Sequence, residues 1–222
     1  IVIIGGGVMG TSIAYHLASR GTGNLVLLEK DSLFGQGATG RCAGGVRYQF
    51  STEINVKLSL ESLPMIERFK DEIGQDVDYR QCGYLLVATN EKDAVAFKQN
   101  VELQNRLGVQ TQLLSGDEIR GRLPMMNFDD AIAGTFNQKD GTVDPNSVVM
   151  GYVNAAQKMG VKAFNNIEVK GINVSGDKVE GVETSQGVIK TRMVINAAGP
   201  WAGQIGQMAG VHIPITSIRR QM

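Results

Sequence analysis

The chain has 222 residues, 42% hydrophobic and 20% charged, with equal numbers of acidic and basic side chains. That length provides for one large domain or one and a half with a buried core, and the absence of any basic patch or polybasic run argues against nucleic-acid or membrane-surface binding. No apolar run reaches membrane-spanning length, and the two cysteines, Cys42 and Cys82, have no metal-ligand spacing, so both are expected as free thiols in a reducing, cytoplasmic compartment.

Residues 1–4 read as a short apolar strand running straight into Gly5-Gly-Gly-Val-Met-Gly10, a G-x-G-x-x-G pattern made by Gly5, Gly7 and Gly10. A helix is predicted over 11–20, with Ile13, Ala14, Leu17 and Ala18 at helical spacing and Gly21 and Gly23 as its stop. A second apolar strand over 25–28 then ends in Glu29, about twenty residues after the glycines, which completes a dinucleotide-binding pattern. Each part has a physical task. Gly5 permits the tight turn, Gly7 lets a pyrophosphate approach the backbone, and Gly10 lets the helix lie close to the sheet. The N–H groups and positive end of that helix hold phosphate charge, and Glu29 accepts hydrogen bonds from a ribose.

Residues 35–45 form a glycine-rich loop, Gly-Gln-Gly-Ala-Thr-Gly-Arg-Cys-Ala-Gly-Gly. A helix is predicted over 53–73, with Ile54, Leu58, Ile66, Phe69 and Ile73 as its apolar stripe and Pro64 either kinking it or opening a second helix. A buried strand follows over 83–88, then a polar-faced helix over 94–107 stopped by Gly108. Ser115-Gly-Asp-Glu118 reads as a capping box opening a short helix that ends before Pro124. Asp144-Pro145 starts another helix, with Val148, Tyr152, Val153, Ala156 and Met159 as its inner face and Gly160 as its end. Residues 161–196 read as short strands with turns at 175–177 and 186–187, and Met193-Val-Ile-Asn-Ala-Ala-Gly199 is a further apolar strand ending in small residues. Residues 215–222 are expected as a strand entered and not finished, with Arg219-Arg220 at a solvated end.

The plan is discontinuous. A βαβ unit comes first, residues 75–140 read as a second, antiparallel domain, and the chain then returns to the nucleotide-binding sheet. The expected class is α/β. Its Rossmann-type domain comprises 1–74 and 141–213, and an α+β substrate domain comprises 75–140 and 214–222.

Four segments together resemble the flavin-dependent amine oxidoreductases of the D-amino-acid oxidase and sarcosine oxidase superfamily. They are the dinucleotide motif, Gly37-Ala-Thr-Gly-Arg-Cys-Ala-Gly-Gly-Val-Arg47, Asp140-Gly-Thr-Val-Asp-Pro145 and Asn196-Ala-Ala-Gly-Pro-Trp201. The resemblance implies a glutathione-reductase-like FAD domain, with the C-terminal part of the substrate domain lying beyond this segment. It implies FAD contacts from Gly5, Gly7, Val8, Met9 and Gly10 at the pyrophosphate turn, and from Glu29 and Lys30 at the ribose-binding strand end. Gly37, Ala38, Thr39, Gly40, Arg41, Cys42, Ala43 and Gly44 match the second loop, which runs beside the pyrophosphate and the flavin. Val169 falls where relatives hold the adenine through backbone atoms, and Ala197, Ala198, Gly199 and Trp201 match the returning strand end.

Arg47 matches the arginine that binds the substrate carboxylate in monomeric sarcosine oxidase, a role suited to a guanidinium fork in a dry site. Some relatives attach FAD through a histidine in the second loop. Here that stretch has Thr39, Gly40 and Arg41, and the two histidines are His16 and His212, so FAD is expected to bind non-covalently. The implied activity is oxidation of the C–N bond of a small amino or imino acid, by hydride transfer from the carbon next to nitrogen to flavin N5. The imine so formed is then hydrolysed by water. The electron acceptor is left open among oxygen, a quinone, a dye and a partner subunit. Rival readings are an NAD(P)-dependent dehydrogenase and a non-catalytic flavin-binding assembly subunit.

Taken by themselves, several of these residues admit plainer roles. Arg47 is also suited to pairing with Glu53, Trp201 to capping a strand end, Tyr48 and Tyr84 to a core, and Cys42 to packing. His16 reads as a packed helix residue and His212 as a loop residue.

Overall fold

Strand β1 (Val2–Ile4) is buried along its whole length, as a central parallel strand with both faces covered must be. The computed structural model describes residues 1–219. It continues with α1 (Val8–Ser19), β2 (Val26–Leu28), β3 (Gly45–Val46), α2 (Glu53–Glu67), α3 (Phe69–Ile73), β4 (Tyr84–Ala88), α4 (Glu91–Arg106), β5 (Gln112–Ser115) and α5 (Gly116–Arg122). Then come β6 (Ala133–Asn137), β7 (Gly141–Thr142), α6 (Pro145–Lys158), β8 (Lys162–Phe164), β9 (Val169–Ser175), β10 (Lys178–Thr184), β11 (Gly187–Lys190), β12 (Val194–Asn196) and α7 (Ala202–Met208). The chain divides into two units, one made of Ile1–Ala43, Ile73–Gln75 and everything from Pro145 onward, the other of Gly44–Glu72 and Asp76–Asp144.

In the first unit a parallel sheet runs in the order β12-β1-β2-β8. Ile4 stands opposite Leu28 on one side and Asn196 on the other, so all three strands end at one level. The twofold alternation of a strand splits their side chains between two cores. Val2, Ile4 and Leu28 face Ile172 and Val182 of the antiparallel sheet β11-β10-β9. Ile3, Leu25 and Leu27 face Ala14 of α1 and Val149, Val153 and Ala156 of α6. This α/β architecture with the glycine turn at β1's end is the Rossmann-type arrangement expected.

The second unit has an antiparallel sheet in the order β4-β6-β5, with Leu114, Ile119 and Ala131 packed beneath Leu85 and Phe136. A two-stranded ribbon pairs β3 with β7. Val56 and Leu63 of α2 bury against Tyr48 and Val109, and this packing holds Gly44–Glu72 with the second unit rather than with the first.

Four expectations differ from the structure. The helix over 53–73 breaks at Arg68, and Pro64 sits inside α2 without ending it. The inner face of α2 is Val56, Ser59 and Leu63, whereas Ile54 and Leu58 are exposed; α2 carries two apolar stripes, and periodicity alone does not choose between them. Residues 211–219 contain no strand, and Arg220 to Met222, with the end of the expected strand, lie outside the described residues. On α6, Val148, Tyr152, Val153 and Ala156 are buried as expected, and Met159 is exposed instead because it lies past the helix end.

Candidate functional site

The glycine turn that follows β1 is shaped by backbone collisions that only glycine avoids. Gly5 has φ of 109°, and a Cβ there would also run into the Ala197 carbonyl at the end of β12. A Cβ on Gly10 would overlap the Gly5 carbonyl oxygen, so α1 starts in direct backbone contact with the turn. Gly7 has more room: a Cβ there would meet just the Thr39 hydroxyl, at 3.2 Å. The N-terminus of α1 thus opens on the side of Gly7 and Thr39, where a phosphate group can approach the helix end.

Glu29, directly after β2, binds this turn. One carboxylate oxygen accepts the Gly6 N–H at 2.7 Å and the other accepts the Asp31 N–H at 2.9 Å. Each oxygen retains a second lone pair for a hydroxyl donor, so the acid can fix the turn and receive a ribose together. Gly6 lay outside the sequence-derived set, although its N–H meets Glu29 and its carbonyl accepts from Gly35 at 2.9 Å. The signal was present in the glycine triplet, but only the folded backbone reveals which amide points at the acid.

The second loop is held to the first. Thr39 opens a 3-10 turn, Thr39–Arg41, and its hydroxyl accepts the Val8 N–H at 3.2 Å. Arg41 donates to the Gln36 carbonyl at 3.1 Å and Cys42 donates to the Thr39 carbonyl at 3.0 Å. Both side chains are exposed, as are Ala38, Gly40 and Ala43. Gly35 and Gly40 close the loop through a 2.7 Å hydrogen bond. Met9 is 65% exposed on the first turn of α1.

The end of β12 completes the group. Ala197 donates its N–H to the Ile4 carbonyl at 2.8 Å, and Asn196 ties the bend down by donating to the Ala202 carbonyl at 2.8 Å. Gly199–Trp201 forms a 3-10 turn, which brings the Trp201 ring to 4.1 Å from the Lys30 ammonium. Ala197, Ala198, Gly199, Glu29 and Lys30 therefore share one end of the sheet with the glycine turn. Val169 is the buried first residue of β9 and belongs to the same core cluster as Val2, Ile4 and Leu28. The residues present fit a dinucleotide: a glycine turn cleared of side chains, a helix N-terminus, and a carboxylate with spare lone pairs.

Gly44 and Arg47 belong to the second unit. Gly44 is buried, with φ of 72°. Arg47 directly follows β3, and its guanidinium lies 5.8 Å from the Phe50 ring and 5.4 Å from the Tyr84 ring, within cation–π range of both. Glu53 pairs with Lys57 at 2.6 Å, so the alternative partner weighed for Arg47 is engaged within its own helix.

The segment after Arg47 is fixed by a residue the sequence did not single out for a role. Asp140 is fully buried and accepts the Tyr48 N–H at 2.7 Å and the Gln49 side-chain amide at 2.8 Å. Gln49 also donates to the Tyr84 carbonyl at 2.9 Å and accepts from Thr135 at 2.6 Å. Burial raises the Asp140 pKa above the ordinary aspartate value, against the hydrogen bonds from Tyr48 and Gln49 and the Arg47 charge, which lower it. Burial likewise pushes the Tyr48 phenol up to about 12. His16 packs with Tyr15 and Tyr152, with ring centroids 5.0 and 5.9 Å away, and is not part of the site. His212 is exposed. Cys42 and Cys82 are exposed free thiols, and among the described residues no acidic, histidine or cysteine cluster could hold a metal.

A parallel sheet whose strand ends converge on a glycine turn and an acid is the architecture of a dinucleotide-binding domain. Across residues 1–222 the chain matches the family model described as DAO, FAD dependent oxidoreductase, and it belongs to that family. It is similar to the mitochondrial dimethylglycine dehydrogenase of Rattus norvegicus, 35% identical over 221 residues, covering 99% of this chain and 26% of the relative. It is similar also to the mitochondrial sarcosine dehydrogenase of Mus musculus, 34% identical, covering 98% of this chain and 24% of the relative. Among solved structures the L-proline dehydrogenase from P. horikoshii superposes with a TM-score of 0.87 at 36% identity, covering 95% of this chain and 55% of that one. The chain thus spans about a quarter of these curated relatives and about half of that solved structure. No helix among the described residues is long and apolar enough to cross a membrane.

Proposed function

We propose that this chain carries the FAD-binding part, glutathione-reductase-like in plan, of an enzyme that oxidises the C–N bond of a small N-substituted amino acid. The observation that carries the reading is the convergence of the β1, β2 and β12 ends on one glycine turn in a chain that matches the family throughout. Dimethylglycine, sarcosine and proline, the compounds in the relatives' names, share a substituted nitrogen one carbon from a carboxylate, and that is the substrate class we assign.

Bound FAD would supply the electron sink, with hydride passing from the carbon next to nitrogen to its N5 position. The chain's own residues bind and orient. The α1 N-terminus, with Gly7, Val8, Met9 and Gly10, receives the pyrophosphate, and Glu29 takes the ribose hydroxyls. Thr39 fixes the second loop against α1, and the backbone of Val169 holds the adenine. With no histidine in the second loop, that loop offers FAD no histidine for covalent attachment. Arg47 anchors the substrate carboxylate through its two-pronged guanidinium, and Asp140 fixes the backbone that follows it.

The test is anaerobic mixing of the complete protein with sarcosine, dimethylglycine, proline and D-amino acids, followed by flavin absorbance at about 450 nm. Bleaching by one of the N-substituted acids is the expected result. A protein that binds FAD and bleaches with none of them is a flavin-binding scaffold, and the enzymatic reading fails. A colourless protein that binds NADH overturns the cofactor as well.

A further inference from the structure

We infer that Lys30 and Trp201 form a clasp over the dinucleotide groove, one that governs how fast FAD leaves the protein. The inference rests on the FAD site proposed above but concerns a contact that the binding motif does not require. Lys30 stands two residues past Leu28 of β2, and Trp201 five residues past Asn196 of β12. Both Leu28 and Asn196 are level with Ile4, on opposite sides of β1. Neighbouring strands lie about 4.8 Å apart, so the two outer strand ends are about 10 Å from one another. Yet the Lys30 ammonium sits 4.1 Å from the centre of the Trp201 ring. The pair closes that span across the end of β1, where Gly5, Gly6 and Gly7 form the turn.

The surrounding residues are arranged for such a crossing. A Cβ on Gly37 of the second loop would stand 4.0 Å from the Trp201 ring, so the ring lies along that loop at ordinary contact distance. The 3-10 turn Gly199–Trp201 and the Asn196 hydrogen bond to Ala202 fix the backbone that carries it. Lys30 is held from its other side by Asp31 at 3.6 Å. Trp201 remains 38% exposed, an orientation suited to a roof rather than to a core. A flexible lysine stem can swing away to admit a ligand and return, while the tryptophan presents the fixed face.

Trp201 is the one tryptophan in these 222 residues, so emission present in the wild type and missing from Trp201→Leu is its signal in the full-length protein. The experiment loads the full-length wild type with FAD, dilutes it into a trap for free FAD, and follows the rise of free-flavin fluorescence. Lys30→Gln, Trp201→Leu and the double variant are measured alongside. Each single change is expected to speed FAD release about three- to fivefold, the worth of a cation–π contact near the surface. The double variant is expected to release no faster than the faster single, because both break one contact. Lys30→Arg should restore the wild-type rate, and titrating FAD into wild-type apoprotein should quench Trp201 emission. Melting of the apoproteins should be unchanged, which separates the clasp from a general loss of structure. Release within twofold of wild type for either single variant, or a double effect equal to the product of the singles, overturns the clasp. Failure of the wild type to take up FAD instead overturns the site on which it rests, and the two failures are distinguishable.

Discussion

The Thr39 hydroxyl accepts the Val8 N–H at 3.2 Å, so a residue of the second glycine loop caps the helix that follows the first. Gly7, the residue at the helix cap position, has no side chain to do this. The bond satisfies one of the donors left open at a helix start and ties the second loop to the first turn of α1.

Thr39→Val keeps the shape of the side chain and removes the acceptor. We expect it to lower apoprotein stability by about 1 kcal/mol, the usual cost of losing a cap, and to weaken FAD binding several-fold. Thr39→Ser should retain both. Urea unfolding and FAD titration of the three proteins check this, and equal affinities for Val and Ser would show that the hydroxyl is idle.

Gly10→Ala places a methyl group on the Gly5 carbonyl oxygen. The carbonyl is fixed at the sheet end and the methyl would be rigidly attached to the α1 backbone, so neither can turn aside. The expected cost is about 3 kcal/mol or more, at the upper end for overpacking, together with loss of FAD retention. Gly23→Ala, where a Cβ meets nothing within 4 Å, should be neutral in the same assays.

Asp140 has a folded-state pKa raised by burial. Between the ordinary aspartate value, about 4, and that raised value the folded chain binds more protons than the unfolded one. Stability from this group is therefore greatest below that window and falls as pH rises through it. Urea midpoints of wild type and Asp140→Asn compared across pH should show the wild-type advantage shrinking as pH increases. An advantage that grows with pH would reverse the sign of the shift.

Arg47→Ala should lower kcat/KM for carboxylate-bearing substrates at least about 100-fold, since hydrogen bonds to a charged group are lost along with the ion pair. FAD affinity should stay within about twofold, and Arg47→Lys should fall between, keeping the charge without the fork. Steady-state kinetics with an FAD titration checks both halves. An Ala variant with full kcat/KM removes Arg47 from the substrate site.

The parts of the fold that local chemistry dictates were legible residue by residue. The apolar run before Gly5 becomes β1. The Ser115 capping box forms, with the Ser115 hydroxyl accepting from Glu118 at 3.3 Å and the Glu118 carboxylate accepting the Ser115 N–H at 2.7 Å. Asp144-Pro145 opens α6. Strand β5 was not anticipated, because Gln112–Ser115 is mostly exposed and has little apolar signal of its own. Its place is set by pairing with β6.

The candidate site divides in the same way. Glycine spacing and a carboxylate twenty residues on announce a dinucleotide, because a tight turn, a close phosphate and a ribose acceptor each demand one residue type at one position. That Glu29 also grips the Gly6 amide, that Thr39 caps α1, that Asp140 holds the backbone after Arg47, and that Lys30 meets Trp201 are decided elsewhere. These contacts join residues from 23 to 171 positions apart. Sequence by itself determined most of the elements and the ligand class, since those depend on neighbours along the chain. Tertiary structure alone decided which side chains meet, because that depends on sheet order and strand register, through which the backbone carries distant residues to one edge.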